Sequence, residues 1–179
     1  MNIGILGTRG IPNEYGGFEQ FAEFLSVGLV KRGHKVWVYN SHKHNFKESI
    51  YKGVNLIKCF DPEYRIGTPG QFIYDFNCIR DARKRSFDIL LQLGYTSSSV
   101  WGKFLPSNQV IVTNMDGLEW KRSKYNKAVR KFLLRAEQWA VNTSDHLVAD
   151  SVGIRDYLKN KYGVNSTYIP YGATGFKMP

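Results

Sequence analysis

Two strings of residues concentrate the groups able to do chemistry. The first is Gly7-Thr8-Arg9-Gly10-Ile11-Pro12-Asn13-Glu14-Tyr15-Gly16-Gly17-Phe18-Glu19. It joins an apolar run to a helical pattern, which is where a ligand meets backbone most easily. Glycines allow close approach, and the first turn of a helix offers unpaired N–H groups to an anion. Gly16 and Gly17 therefore read as a phosphate or sugar contact, against the plainer reading that they only permit a turn. Their spacing matches neither G-x-G-x-x-G nor the P-loop, which argues against an ordinary NAD enzyme or an NTPase. The second string is Asn114-Met115-Asp116-Gly117-Leu118-Glu119-Trp120-Lys121-Arg122. Asp116 and Glu119 can serve as a base or as acceptors for sugar hydroxyls. Lys121 and Arg122 can hold a phosphate, and Trp120 offers a flat apolar face for a sugar ring. The plainer reading makes Asp116-Gly117 a turn and leaves both cations solvated.

A third feature is electrostatic. Lys121, Arg122, Lys124, Lys127, Arg130, Lys131 and Arg135 follow one another with no acid between them, and Phe132, Leu133, Ala136, Trp139 and Ala140 recur beside them at helical spacing. A basic amphipathic helix can lie on an anionic bilayer surface, each basic residue adding ~1 kcal/mol. The ordinary alternative is a core-packed helix with a solvated outer face. Lys124, Lys127, Arg130 and Lys131 are the candidate membrane-surface residues.

The elements that must position these residues follow from the hydropathy pattern. The chain has 179 residues and a formal net charge of +10, a size that suits one domain with a substantial core. Short apolar runs at 2–7, 36–39, 54–59, 88–93, 109–113, 146–149 and 167–169 read as strands. Helical patterns lie between them: Phe18, Phe21, Ala22, Phe24, Leu25, Leu29 and Val30 up to a stop at Gly33, then 69–85, 97–105, 124–141, and a Ser151-capped segment to Tyr162. The basic stretch 42–52 reads as an exposed loop or short hairpin. Alternation of this kind predicts a single α/β Rossmann-like domain, with a mainly parallel sheet of about seven strands and helices on both faces. No apolar run is long enough to cross a bilayer. Cys59 and Cys78 match no metal spacing and read as buried free thiols suited to a reducing cytoplasm. His34, His42, His44 and His146 form no ligand set. The excess charge calls for an acidic partner, but no nucleic-acid-binding motif is present.

The order of motifs adds a resemblance that covers nearly the whole chain. Gly16-Gly17-Phe18-Glu19, then Leu25 and Leu29, then Gly33-His34-Lys35-Val36, then Ala149-Asp150-Ser151-x-x-Ile154-x-x-Tyr157-Leu158, and finally Tyr168-Ile169-Pro170-Tyr171-Gly172-Ala173 resemble the N-terminal half of a GT-B glycosyltransferase. The match is to family 4, and the D-G-x-E-W-K-R string is similar to its rhamnosyltransferase-like subgroup. Many members carry His-Gly where this chain has Asp116-Gly117.

The resemblance implies an acceptor-binding half-enzyme, with residues 1–179 forming the N-terminal domain and the nucleotide-sugar domain absent. A fragment or an orphan half pairing with another chain would both fit. Sugar would pass from a nucleotide-sugar co-substrate, with no other cofactor and no metal, to a saccharide or lipid-linked saccharide in surface polysaccharide synthesis. Transfer would be retaining, the isolated half inactive, and the location cytoplasmic or peripheral at the inner membrane face. Asp116 is expected to orient or deprotonate the acceptor, with Glu119, Trp120 and Arg122 beside it. Arg9, Gly16 and Gly17 are expected near the diphosphate, and Glu19 among the substrate-binding residues. Two readings from other classes compete: a non-catalytic binding or scaffold domain of the same fold, and a basic nucleic-acid-binding α/β domain.

Overall fold

The computed structural model describes residues 1–123 and 125–170. The expectations placed on Lys124 and on Tyr171-Gly172-Ala173 lie outside the described residues. Five central strands are β1 (Asn2–Leu6), β2 (Lys35–Ser41), β4 (Val54–Cys59), β5 (Ile89–Leu93) and β6 (Val110–Asn114). The sheet is completed by β3 (Ile50–Tyr51), β7 (His146–Ala149) and β8 (Thr167–Tyr168), in the order β3-β4-β2-β1-β5-β6-β7-β8. All pairings are parallel except β3 with β4. The eighth strand is thus the short hairpin partner within the 42–52 stretch, which adds one to the seven expected.

Strand alternation sends successive side chains to opposite faces. Ile3, Ile5, Val36, Val38 and Leu56 meet Ala22 and its neighbours on α1 (Gly17–Lys31). Leu6, Tyr39, Ile57, Leu90 and Ile111 meet Tyr74, Cys78 and Ile79 on α3 (Pro69–Ala82), which follows the short α2 (Glu63–Ile66). A third cluster joins Leu147 of β7 to α4 (Lys127–Thr143) and α5 (Val152–Tyr162) through Ala136, Ala140 and Leu158. Both cysteines are free and buried.

Local chemistry sets the helix ends. Asn126 caps α4 by accepting from the Val129 N–H, and Ser151 caps α5 by accepting from the Ile154 N–H. The α4 cap places the start of that helix at 127 rather than 124. The short helix expected over 97–105 is present as a 3-10 helix, Ser98–Phe104. A run of serines there competes for backbone partners, as when Ser98 Oγ donates to the Gly94 carbonyl. Phe24 falls off the stripe of Phe21, Ala22 and Leu25 and is exposed.

The centre of the sheet leaves no room for a side chain at Gly7. It has φ +91°, and an added Cβ would sit 2.2 Å from the Leu93 carbonyl oxygen. Gly7→Ala is therefore expected to lose at least ~2 kcal/mol of stability, measured by urea unfolding.

Candidate functional site

Chain order reverses between β1 and β5, since β2 and β4 extend one way and β6 to β8 the other. In open parallel sheets the crevice beyond the strand carboxyl ends at such a point is where ligands bind. Here it is a continuous cleft, its larger part about 590 Å³. The loop after β1, the 94–98 segment after β5 and the 116–122 segment after β6 all open onto it.

The first wall is the N-terminus of α1. Gly16 is its N-cap in extended backbone, with no side-chain cap bond. A Cβ at Gly17 would meet nothing within 4 Å, so neither packing nor backbone conformation demands glycine there, and the open space in front of it belongs to the cleft. Glu19 is buried and accepts from the Arg9 N–H at 2.9 Å, fixing the loop to the helix. The Arg9 guanidinium is held by both oxygens of Glu63, at 2.9 and 2.6 Å, and lies over the Tyr15 ring at 4.0 Å. Burial works against its charge, and the Glu63 bond and charge outweigh that, so its pKa is raised.

The floor carries an unusual carboxyl. Asp75 on α3 is buried and accepts from Ser97 Oγ at 2.5 Å. Burial raises it to about 7 despite that bond. The neighbouring Tyr74 hydroxyl is buried beside Cys78, and both Asp75 and Tyr74 line the cleft.

The opposite wall holds Asp116, Glu119 and Arg122. Glu119 pairs with Arg122 at 2.9 Å. The β6–β7 register sets Asn114 opposite Val148, which brings Asp116 beside Asp150 two residues further along. Burial first, and the Asp150 carboxylate second, raise Asp116 to about 6. That value suits a base working near neutral pH.

Of the expected site residues, Arg9, Gly16, Gly17, Glu19, Asp116, Glu119 and Arg122 thus share one cleft. Trp120 does not line it. Its indole N–H donates to Glu137 at 3.2 Å, its ring packs on Tyr157, and the ammonium groups of Lys121 and Lys161 each lie 5.4 Å from its centre. Glu63, Asp75, Ser97 and Asp150 were not singled out by sequence. Their only signal is position just past a strand or within the next helix.

The basic helix also divides. Lys127, Lys131 and Arg135 are exposed. Arg130 instead turns inward and donates to the Trp120 carbonyl at 2.7 Å, which removes it from the outer face expected of it. Val129, Phe132 and Leu133 line the cleft. Among the described residues no helix is long and apolar enough to cross a membrane.

The sheet order and the cleft define a Rossmann-like half of the two-lobed GT-B architecture. The model superposes on sucrose-phosphate synthase from Thermosynechococcus elongatus with TM-score 0.67 at 15% identity, covering 94% of this chain and 47% of that one. A second structure of that enzyme gives TM-score 0.59 at 10% identity, over 97% of this chain and 91% of the other. The chain belongs to the family described as domain of unknown function DUF1972, whose model matches residues 1–174. A Klebsiella pneumoniae protein described as an uncharacterized 42.6 kDa protein in the cps region is 36% identical over 58 residues, 32% of this chain and 16% of that protein. The chain therefore spans about half of the first structural relative and matches a sixth of the sequence relative.

The buried carboxyl at Asp75 gives a pH prediction. Its pKa is raised from 3.8 to about 7, so the folded state holds the proton more tightly than the unfolded state, and stability falls as pH rises through that window. Asp75→Asn keeps an acceptor for Ser97 without the charge. The variant should melt higher than the parent at about pH 8 and lose that advantage near pH 4, as read by thermal denaturation at both pH values.

Proposed function

We propose that this chain is the acceptor-side lobe of a GT-B glycosyltransferase, resembling the rhamnosyltransferase-like subgroup of family 4. The observation that carries the reading is the single cleft at the sheet's reversal point. It sets the N-terminus of α1, which has no side-chain cap, on one side and Asp116, with Asp150 beside it, on the other. The first suits a sugar diphosphate. The second suits an accepting hydroxyl.

In this reading a second lobe, on the same polypeptide or a partner, brings the nucleotide-sugar over the strand ends. The positive end of the α1 dipole, at Gly16 and Gly17, faces the diphosphate as charge builds on the leaving group. Arg9, held in place by both oxygens of Glu63, lies at the same edge and can donate there only through N–H groups the carboxylate leaves open. Asp116 takes or orients the acceptor's proton, while Glu119 and Arg122 border the acceptor. Positioning supplies much of the rate. The acceptor is a saccharide or lipid-linked saccharide, and the stereochemistry is retaining. The occurrence of a partial relative in a cps region is consistent with a role in polysaccharide synthesis.

The test is sugar transfer from a panel of nucleotide-sugars by the natural gene product. Asp116→Asn should lower the rate at least ~100-fold. The parent rate should fall below about pH 6 as Asp116 gains its proton, as its raised pKa requires. Gly17→Val should cost at least ~tenfold, or ~1.4 kcal/mol of transition-state stabilisation, with little change in melting temperature because no neighbour is displaced. The 179-residue chain alone should fold without turning over. Multiple turnovers by that chain would overturn the half-enzyme reading, and full rates for both variants would remove Asp116 and Gly17 from it.

The same lobe is proposed to rest on the membrane face where its acceptor lies. Exposed Lys127, Lys131 and Arg135 run along α4, and Trp139, Val100 and Phe104 are exposed on α4 and on the 3-10 helix packed against it. Co-sedimentation with phosphatidylglycerol vesicles is expected at low salt and absent with phosphatidylcholine. It should weaken as the screening length falls from ~10 Å at 0.1 M to ~3 Å at 1 M salt. Changing Lys127, Lys131 and Arg135 to Glu should abolish it, and undiminished binding by that variant would place the membrane contact elsewhere.

A further inference from the structure

A second cavity of about 360 Å³ lies on the far side of Arg9 from the main cleft, within the size range of small-ligand sites. Three loops enclose it, those following β1, β2 and β4, and Arg9, Tyr15, Glu19 and Glu63 border both spaces. The Arg9–Glu63 ion pair is thus a shared partition. Beyond it, Tyr64 is 51% exposed and Tyr15 70%; Arg9 lies over the Tyr15 ring, and Lys43 and Arg65 lie 4.6 and 5.3 Å from the Tyr64 ring centre, so each ring has surface left only where these cations do not cover it.

The charge of this cavity separates it from the phosphate side. Glu14, Glu19, Asp61 and Glu63 stand against Arg9 and Lys43, an excess of carboxylate that disfavours a phosphate or a nucleotide. Carboxylates accept hydrogen bonds from hydroxyls, and a tyrosine ring offers an apolar surface to the C–H face of a sugar. The walls are also fixed in advance. Asp61 accepts from the Glu63 N–H at 2.9 Å, His42 Nδ1 accepts from the Asp61 N–H at 3.0 Å, and His44 Nε2 lies 3.1 Å from the Pro12 carbonyl oxygen. Little ordering remains to be done on binding.

We infer that this cavity holds a neutral sugar ring of the acceptor, the residue adjoining the one that receives the transferred sugar, so that the acceptor is an oligosaccharide of at least two units. The inference rests on the glycosyltransferase reading for the word acceptor. The cavity's preference for a neutral saccharide stands apart from it.

The experiment is saturation-transfer NMR and calorimetry on the chain as it stands. The probes are methyl glycosides of glucose, galactose, mannose and rhamnose, disaccharides built from them, and glucose 1-phosphate as the anionic control. At least one disaccharide should bind at least ~tenfold tighter than its methyl monosaccharides, a difference of ~1.4 kcal/mol. Tyr64→Ala and Lys43→Ala change exposed side chains, and Tyr64→Ala should erase that gain while Lys43→Ala leaves the protein folded and the preference for neutral ligands intact or stronger. Absence of binding by any neutral saccharide, tighter binding of glucose 1-phosphate, or equal disaccharide affinity in Tyr64→Ala would each overturn the inference. Transfer assays separate the two readings. Unchanged acceptor KM in an active Tyr64→Ala variant of the natural gene product defeats the cavity alone, whereas disaccharide binding by the chain with no transfer by the natural gene product defeats the enzyme reading alone.

Discussion

One buried carboxylate organises the wall of the cleft that follows β6. Glu137 on α4 is 1% exposed and accepts from Tyr157, Lys161, Tyr162 and the Trp120 indole. A charge this deep survives only when its lone pairs are filled, and these four donors come from α5 and from the segment after β6. Burial opposes the charge on Lys161, yet the Glu137 bond raises its pKa. The consequence is geometric. Trp120 is clamped from the side by Glu137 and through its carbonyl by Arg130, and Asp116, Glu119 and Arg122 take their places in the cleft from that clamp.

The cleft then sets two environments against each other along one sheet edge. Near α1 the backbone supplies positive potential at little cost, because helix N–H groups are aligned by the fold. Near β6 and β7 the fold does the opposite and brings two carboxyls together, which neither would choose in water. Parallel register alone accomplishes this, since strands advancing in step deliver equivalent positions side by side. Asp75 sits beneath as a third acid, kept partly protonated by its burial. The same edge thus favours negative charge at one end and resists it at the other.

Much of the sheet was legible because the central strands are short and rich in apolar and β-branched residues, as in Val36-Trp37-Val38-Tyr39 and Ile89-Leu90-Leu91, and α1 was legible from Phe21, Ala22, Leu25 and Leu29. Ser151 announced its own helix. What escaped the sequence depended on partners distant in the chain. The indole of Trp120 reads as a free stacking platform until Glu137, seventeen positions on, is placed beneath it. Arg130 reads as one more solvated cation until its guanidinium finds the Trp120 carbonyl. Asp150 was visible only as part of a helix-entry motif, because its relation to Asp116 exists in the register of β6 and β7 and nowhere in the spacing. Asp75 was invisible for a similar reason: a lone acid in a helical pattern does not disclose that its face is the covered one.

The helix caps carry a last consequence. Asn126 and Ser151 each close the first turn of their helix with a side-chain oxygen, a contact worth ~1 kcal/mol. Gly16 declines it, although its φ of −166° is open to any residue and the nearest atom to an added Cβ is Glu19 Oε2 at 3.4 Å. A serine would fit and would make the empty protein sturdier. It would also put a fixed hydroxyl at the mouth of the cleft that Gly16 lines, so glycine there leaves this helix end less firmly tied than those of α4 and α5 and its edge of the cleft free of a side chain.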